Sequence, residues 1–172
     1  MSDFAAAECG IRQLHARYMD AVWRKDAQSF AECFTEDGEW RISGMSLKGR
    51  AEIAETIGRI LANARKVLIT FRTPILAVGD SRASGRTYVT EQCSWLHRPP
   101  NISIGRYYEH FVREGDRWLF SWRLFQIHYS GPEDMSGEWH DQPDFGPPPG
   151  MPPLDLVPGD HARAKWKLDT EN

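Results

Sequence analysis

The feature that most restricts the fold is a change of rhythm near residue 65. Before it, Ile11, Leu14, Tyr18, Ala21, Val22, Phe30, Cys33 and Phe34 recur at the spacing of a buried helix face, interrupted around KDAQS. This reads as two consecutive helices reaching Phe34. Asp26 is placed to cap the second, because its carboxylate can accept from a free backbone N–H in the first turn. TEDGEWRISG then reads as a turn and a short strand, and SLKGRAEIAETIGRILANA as a polar-capped third helix with Ile53, Ile57, Ile60 and Leu61 on one side. After it come KVLITFRTPILAVGD, RASGRTYVTEQCSWLHR, ISIGRYYEHFVRE and RWLFSWRLFQIHYS, rich in Val, Ile, Thr, Tyr, Phe and Trp and separated by turn residues such as GDS, RPPN and EGD. Helices first and a strand meander afterwards give an α+β fold, a curved antiparallel sheet with one face packed on three N-terminal helices.

The final run is apolar at both parities, with Trp118, Phe120, Trp122 and Leu124 alternating against Leu119, Phe125 and Ile127. A single-layer sheet needs only one apolar face, so the second face calls for a cover, most simply another copy in a homodimer or homotrimer. The 172 residues suffice for one ordinary domain with a real core. With 21 basic against 24 acidic residues, bulk charge gives no reason to expect a nucleic-acid partner. Cys9, Cys33 and Cys93 fit neither a disulfide framework nor a paired zinc pattern, and read as reduced thiols. No stretch has the length of a membrane span, and the first residues lack a signal-peptide pattern, so a cytoplasmic protein is expected.

Residues 1–131 read as the folded domain and 132–172 as a proline-rich extension. Proline removes backbone donors and fixes φ, so the extension should be extended rather than helical. Phe145, Met151 and Leu154 would anchor an ordered arm, and a flexible tail is the alternative.

On the first helix Asp20 falls on the solvent side, Tyr18 lies near the middle of the buried stripe, and Met19 and Trp23 lie on its flank, where a helix edge can border a cavity. IRQLHARYMDAVWRKDAQSFAECFTEDGEWRISG, LKGRAEI, GDSRASGRTYVTE and YYEHFVREGDRWLFSWR, in that order and spacing, resemble the SnoaL-like branch of the nuclear transport factor 2-like superfamily over residues 8 to 130. The resemblance implies a cone of three helices wrapped by a bent sheet around an apolar cavity. It includes dehydratases, isomerases, cyclases, a dehydrochlorinase and an epoxide hydrolase, and many members that only bind ligands or partners. Fold alone therefore does not give function.

The dehydratase and dehydrochlorinase members use an aspartate on the first helix, five residues after a frequent tyrosine, with a histidine on the strand after the third helix. By this resemblance Tyr18 takes the tyrosine position, while Trp23 and Thr70 take the aspartate and histidine positions. Neither Trp nor Thr relays a proton near neutral pH, so that chemistry should be close to abolished.

The resemblance also places Glu91, Tyr107, Glu109 and Arg123 toward the cavity, the arginine matching one that supports the dehydrochlorinase site. A three-residue turn at EGD would put residues 107 and 123, and 109 and 121, opposite one another and gather the set on one face. A two-residue turn would disperse it. If gathered, Glu109 and Arg123 would form an ionised pair, leaving Glu91 or Tyr107 to carry protons. A purely structural ion pair is the alternative. Met19, Trp23, Trp40, Thr70, Trp95 and Phe125 complete the expected pocket wall.

His110 and His128 have the parity opposite to Glu109, and no two histidines have the i, i+4 spacing of a helical zinc site, so no metal is expected. No phosphate loop, dinucleotide fingerprint or nucleophile elbow is present, and the resemblance implies a cofactor-independent enzyme. The expected function is proton transfer on a hydrophobic cyclic small molecule, by isomerisation, dehydration, cyclisation or epoxide opening. The alternatives are a non-catalytic small-molecule binder, or a structural subunit like that of aromatic-ring dioxygenases.

Overall fold

The computed structural model describes residues 4–140, in the order α1 (Phe4–Arg24), α2 (Ala27–Ala31), β1 (Phe34–Ile42), β2 (Met45–Lys48), α3 (Gly49–Ala62), β3 (Ala64–Phe71), β4 (Ile75–Val78), β5 (Arg82–Trp95), β6 (Asn101–Glu114) and β7 (Arg117–Gly131). In α1 the stripe Ile11, Leu14, Tyr18, Ala21 and Val22 is buried and Asp20 lies outside, paired with Arg24 at 2.8 Å. Asp26 caps α2 by accepting from the Ser29 amide at 2.9 Å. That helix is shorter than expected, because Phe34 already begins β1; an apolar pair such as Cys33 and Phe34 fits the end of a helix or the start of a strand equally well. TEDG belongs to β1 rather than to a turn. At the head of α3, Lys48 provides no side-chain cap, and Glu52 instead accepts from the Lys48 amide at 2.8 Å.

The run that reads as one strand after α3 is two, β3 and β4, which pair with successive stretches of β5. The break falls at Arg72, Thr73 and Pro74, and proline has no N–H to give to a ladder. The sheet order is β2-β1-β7-β6-β5-β3, with β4 also beside β5, and the sheet is unclosed. Every pairing is antiparallel except β1 with β7, which is parallel, so the sheet is mixed. These two strands are far apart in sequence, and no tight hairpin dictates their direction.

The core lies between the helices and the concave face, where Ile11, Leu14, Phe30, Ile53, Phe34 and Phe120 are fully buried. The β6–β7 hairpin decides which side chains face it. Glu114 pairs with Arg117, so the turn is the two-residue kind that should disperse the candidate site. A β-bulge intervenes: Phe111 opposes Phe120 but His110 opposes Trp122, leaving Ser121 unpaired. The extra residue reverses the parity of β7. Trp118 and Phe120 face inward before it, Arg123 and Phe125 after it, and Glu109 comes directly opposite Arg123. Part of the two-sided apolar pattern of β7 is thus one inward face that changes parity. Leu119, Leu124 and Tyr108 are nevertheless also buried.

Past β7 the chain folds back. Trp139 bridges to Tyr129, His140 donates to the His128 carbonyl at 2.7 Å, and the Tyr129 hydroxyl donates to the Pro132 carbonyl at 2.7 Å. The expected anchors Phe145, Met151 and Leu154 lie outside the described residues. Among the described residues no helix is long and apolar enough to cross a membrane.

Candidate active site

Between α1, α3 and the concave face of the sheet lies a cavity of about 390 Å³. Helix α1 contributes Tyr18 and Val22, which share a face at i, i+4; α3 contributes Ile57 and Leu61; alternate residues Val67 and Ile69 come from β3. Trp40, Phe125 and Ile127 extend the apolar wall, and exposed Met45, Arg98 and Ser130 mark the mouth. Of the residues that the sequence singles out, Tyr18, Trp40, Glu91, Trp95, Tyr107 and Phe125 border this space.

Glu109 and Arg123 do not. They form a fully buried network behind the cavity, with Arg123 Nε donating to Glu109 Oε1 at 2.8 Å and Thr87 donating to Oε2 at 2.6 Å. His15 Nε2 lies 3.0 and 3.2 Å from the two carboxylate oxygens. An ionised carboxylate can only accept, so that nitrogen carries the proton. Burial alone would raise the Glu109 pKa. The charges at His15 and Arg123 and the hydrogen bonds overturn this and hold the carboxyl well below its usual range.

Above the pair, the Arg123 guanidinium lies among aromatic rings, 3.6 Å from the Tyr107 centroid, 4.2 Å from Phe120 and 4.3 Å from Tyr18. The Tyr18 and Tyr107 hydroxyls are 3.4 Å apart at the cavity wall. Burial pushes Tyr18 up to about 12 and Tyr107 well above its ordinary value, and the Arg123 charge opposes both shifts. Both hydroxyls stay protonated at neutral pH.

Glu91 is the opposite case. Among the described residues no hydrogen bond or ion pair reaches its carboxylate, and it borders the cavity. Burial pushes its pKa up to about 7, with only partial opposition from Arg123. By solvent exposure Glu91 is half-buried, and it borders the cavity.

Three expected wall residues lie elsewhere. Trp23 is 48% exposed with the Lys66 ammonium 4.1 Å from its ring centroid, because the step from Val22 to Trp23 turns the side chain about 100° around the helix and out of the cavity. Thr70 is exposed on the convex face, since Val67, Ile69 and Phe71 occupy the inward parity of β3. Met19 packs half-buried at the edge of the core, away from the cavity lining. His15 is a member of the network that the sequence reading misses. Its one signal is its place in the stripe between Leu14 and Tyr18, where a buried imidazole needs a polar partner. His110 packs on Trp122 with ring centroids 5.7 Å apart. Among the described residues no three His, Cys, Asp or Glu side chains converge as metal ligands would.

The fold recurs in solved structures. A putative scytalone dehydratase from Novosphingobium aromaticivorans is 18% identical, with 80% of this chain covered, 91% of that chain and a TM-score of 0.69. The hexachlorocyclohexane dehydrochlorinase LinA-type3 from Novosphingobium barchaimii is 17% identical, with coverages of 81% and 97% and a TM-score of 0.67. A protein of unknown function with a cystatin-like fold from Nostoc punctiforme is 14% identical, with coverages of 74% and 95% and a TM-score of 0.62. No curated protein sequence matches this chain significantly. The sequence model of the SnoaL-like domain matches residues 4–123, which span both helical and strand halves and end on Arg123. This chain belongs to the SnoaL-like domain family.

Proposed function

We infer that the chain is a cofactor-independent proton-transfer enzyme of isomerase or dehydratase type, acting on a hydrophobic cyclic small molecule that carries a carbonyl. The observation that carries this reading is Glu91, a carboxyl on the cavity wall that has no hydrogen-bond or ion-pair partner among the described residues and whose pKa burial pushes up to about 7. At pH 7 such a group is divided between its acid and base forms, the condition in which one residue can both take and return a proton. It would remove a proton next to the carbonyl and deliver it either to another carbon or to a leaving hydroxyl. The oxygen that gains negative charge needs a donor. Tyr18 and Tyr107 have two O–H groups and spend one on each other, leaving the second for the ligand. Arg123, held by Glu109, lies against both rings and favours negative charge near those hydroxyls.

Deuterium exchange from solvent into cyclic unsaturated ketones, followed by NMR, tests this directly, because exchange reads the removal of the proton whatever product follows. The wild-type chain should catalyse exchange, and E91Q should slow it by roughly 10²–10⁴, the usual worth of a general base. Ketones that bind without exchange would instead support the second reading, a non-catalytic binder. That reading is favoured by the commitment of Glu109 and Arg123 to each other, which leaves one carboxyl lining the cavity among the described residues. A structural subunit is disfavoured by a cavity of about 390 Å³ that the side chains of the described residues leave unfilled. We include self-association as a homodimer or homotrimer in the same proposal.

A further inference from the structure

The cavity has a second chamber at its mouth. A hollow of about 360 Å³, lined by Ile60, Asn63, Trp95, His97 and Arg98, shares Ile60, Trp95 and Arg98 with the main cavity. Trp95 is therefore a partition between the two, and it is firmly set. Its indole N–H donates to Asn101 at 2.7 Å, and the Asn101 amide donates to Ser103 and Ser130, each at 3.2 Å. The Arg98 guanidinium stacks on this indole, 3.6 Å from the ring centroid. Arg65 adds a second guanidinium, donating to the Trp95 carbonyl at 3.1 Å.

The charges are arranged by depth. Among the described residues no acidic side chain lines the outer hollow, and Glu91 is the acidic residue of the inner one. Arg98 has no ion pair among the described residues, so its charge faces solvent and the hollow. An anionic group at the mouth would meet the Arg98 charge with no acidic side chain among the described residues lining that hollow to oppose it.

Resting on the small-molecule reading above, we propose that the ligand is amphipathic: its apolar ring system fills the inner cavity, and a carboxylate or similar anion sits in the outer hollow against Arg98 and His97. The arrangement fixes the direction of entry. The ring end goes toward Tyr18, Tyr107 and Glu91, and the charged end stays outside the Trp95 partition. A guanidinium held over an indole ring still has N–H donors to offer a carboxylate, so this contact places the donor without using it up.

Calorimetric titration of the full chain with 2-naphthaleneacetate and with its neutral amide tests the assignment, because the two probes share the ring system and differ in charge. The wild type should bind the acid about fivefold or more tightly than the amide, in the range of a partly exposed charge-assisted contact. R98Q, a change at an exposed position, should bring the ratio of acid to amide affinity down to about one. Raising the salt to about 0.5 M should weaken the acid alone. Equal affinity for both probes in the wild type would overturn the anionic subsite and leave the inner cavity reading standing. A preference for the acid that persists in R98Q would overturn the role of Arg98. Failure of both probes to bind would overturn the subsite together with the pocket reading beneath it.

Discussion

Two glutamates on one face of the sheet meet opposite fates. Glu109 receives Arg123, Thr87 and His15 and is held ionised, whereas Glu91 receives none of them and is pushed up to about 7. If Glu91 is the base, the rate of exchange should rise with pH and level off above about 7, following its ionisation; a flat profile from pH 5 to 9 would contradict that role. Y107F removes one of two hydroxyls that can face the ligand, and should slow exchange by about 10–10³ with little loss of ligand affinity, since the donor matters most as charge develops. Steady-state kinetics with separate kcat and KM would show this. Much of the set is legible in sequence. Resemblance and parity place Tyr18, Glu91 and Tyr107 toward the cavity, and they border it. The same reasoning misplaces Trp23 and Thr70 by one step of a helix and of a strand, where one step is enough to turn a side chain away. His15 is hidden because a histidine within an apolar stripe carries no sign of the partner it will meet 94 residues later.

At the scale of elements, the site depends on one unpaired residue. Ser121 makes up the difference between the two-residue turn and the register that sets Glu109 against Arg123. Deleting Ser121 should turn Arg123, Phe125 and the rest of β7 to the wrong face, so the chain should fail to fold cooperatively, whereas S121A should shift the melting temperature little. A deletion variant with wild-type melting and ligand binding would refute the account of the bulge. The hairpin's register is not readable from EGD, because bulges arise from tertiary fit and leave no fixed residue signature, unlike the Asp26 cap, whose chemistry is local. The division of β3 from β4 does have a local sign in Pro74, which cannot donate to a ladder. The parallel pairing of β1 with β7 has none, since it joins strands brought together only by the finished fold.

For the whole molecule, the two glutamates predict a stability profile with opposed slopes. Glu91 binds its proton more tightly when folded, so its contribution is full below the unfolded value of 4.5 and fades as pH rises to about 7. Glu109 is depressed, so its contribution is present above 4.5 and is lost as pH falls toward about 2. Thermal unfolding should therefore show the melting temperature falling between pH 5 and 7.5 in the wild type. E91Q should lack that fall, with a difference of up to about 3 kcal/mol at pH 7.5, reduced by any water in the cavity. R123M should lose about 3–5 kcal/mol, because it leaves Glu109 buried with one fewer counter-charge. Sedimentation should give a mass two or three times the 19.7 kDa of the chain; a monomer would contradict the proposed association.

Among the described residues Glu91 has no partner in a largely apolar cavity, and for that reason it should change protonation near neutral pH. Its side-chain carboxyl carbon can be followed by carbon-13 NMR through a pH titration, with E91Q identifying the resonance. A midpoint near 7 is the result the structure predicts. A midpoint near the ordinary 4.5 would mean that the carboxylate is solvated or paired, and would contradict the account.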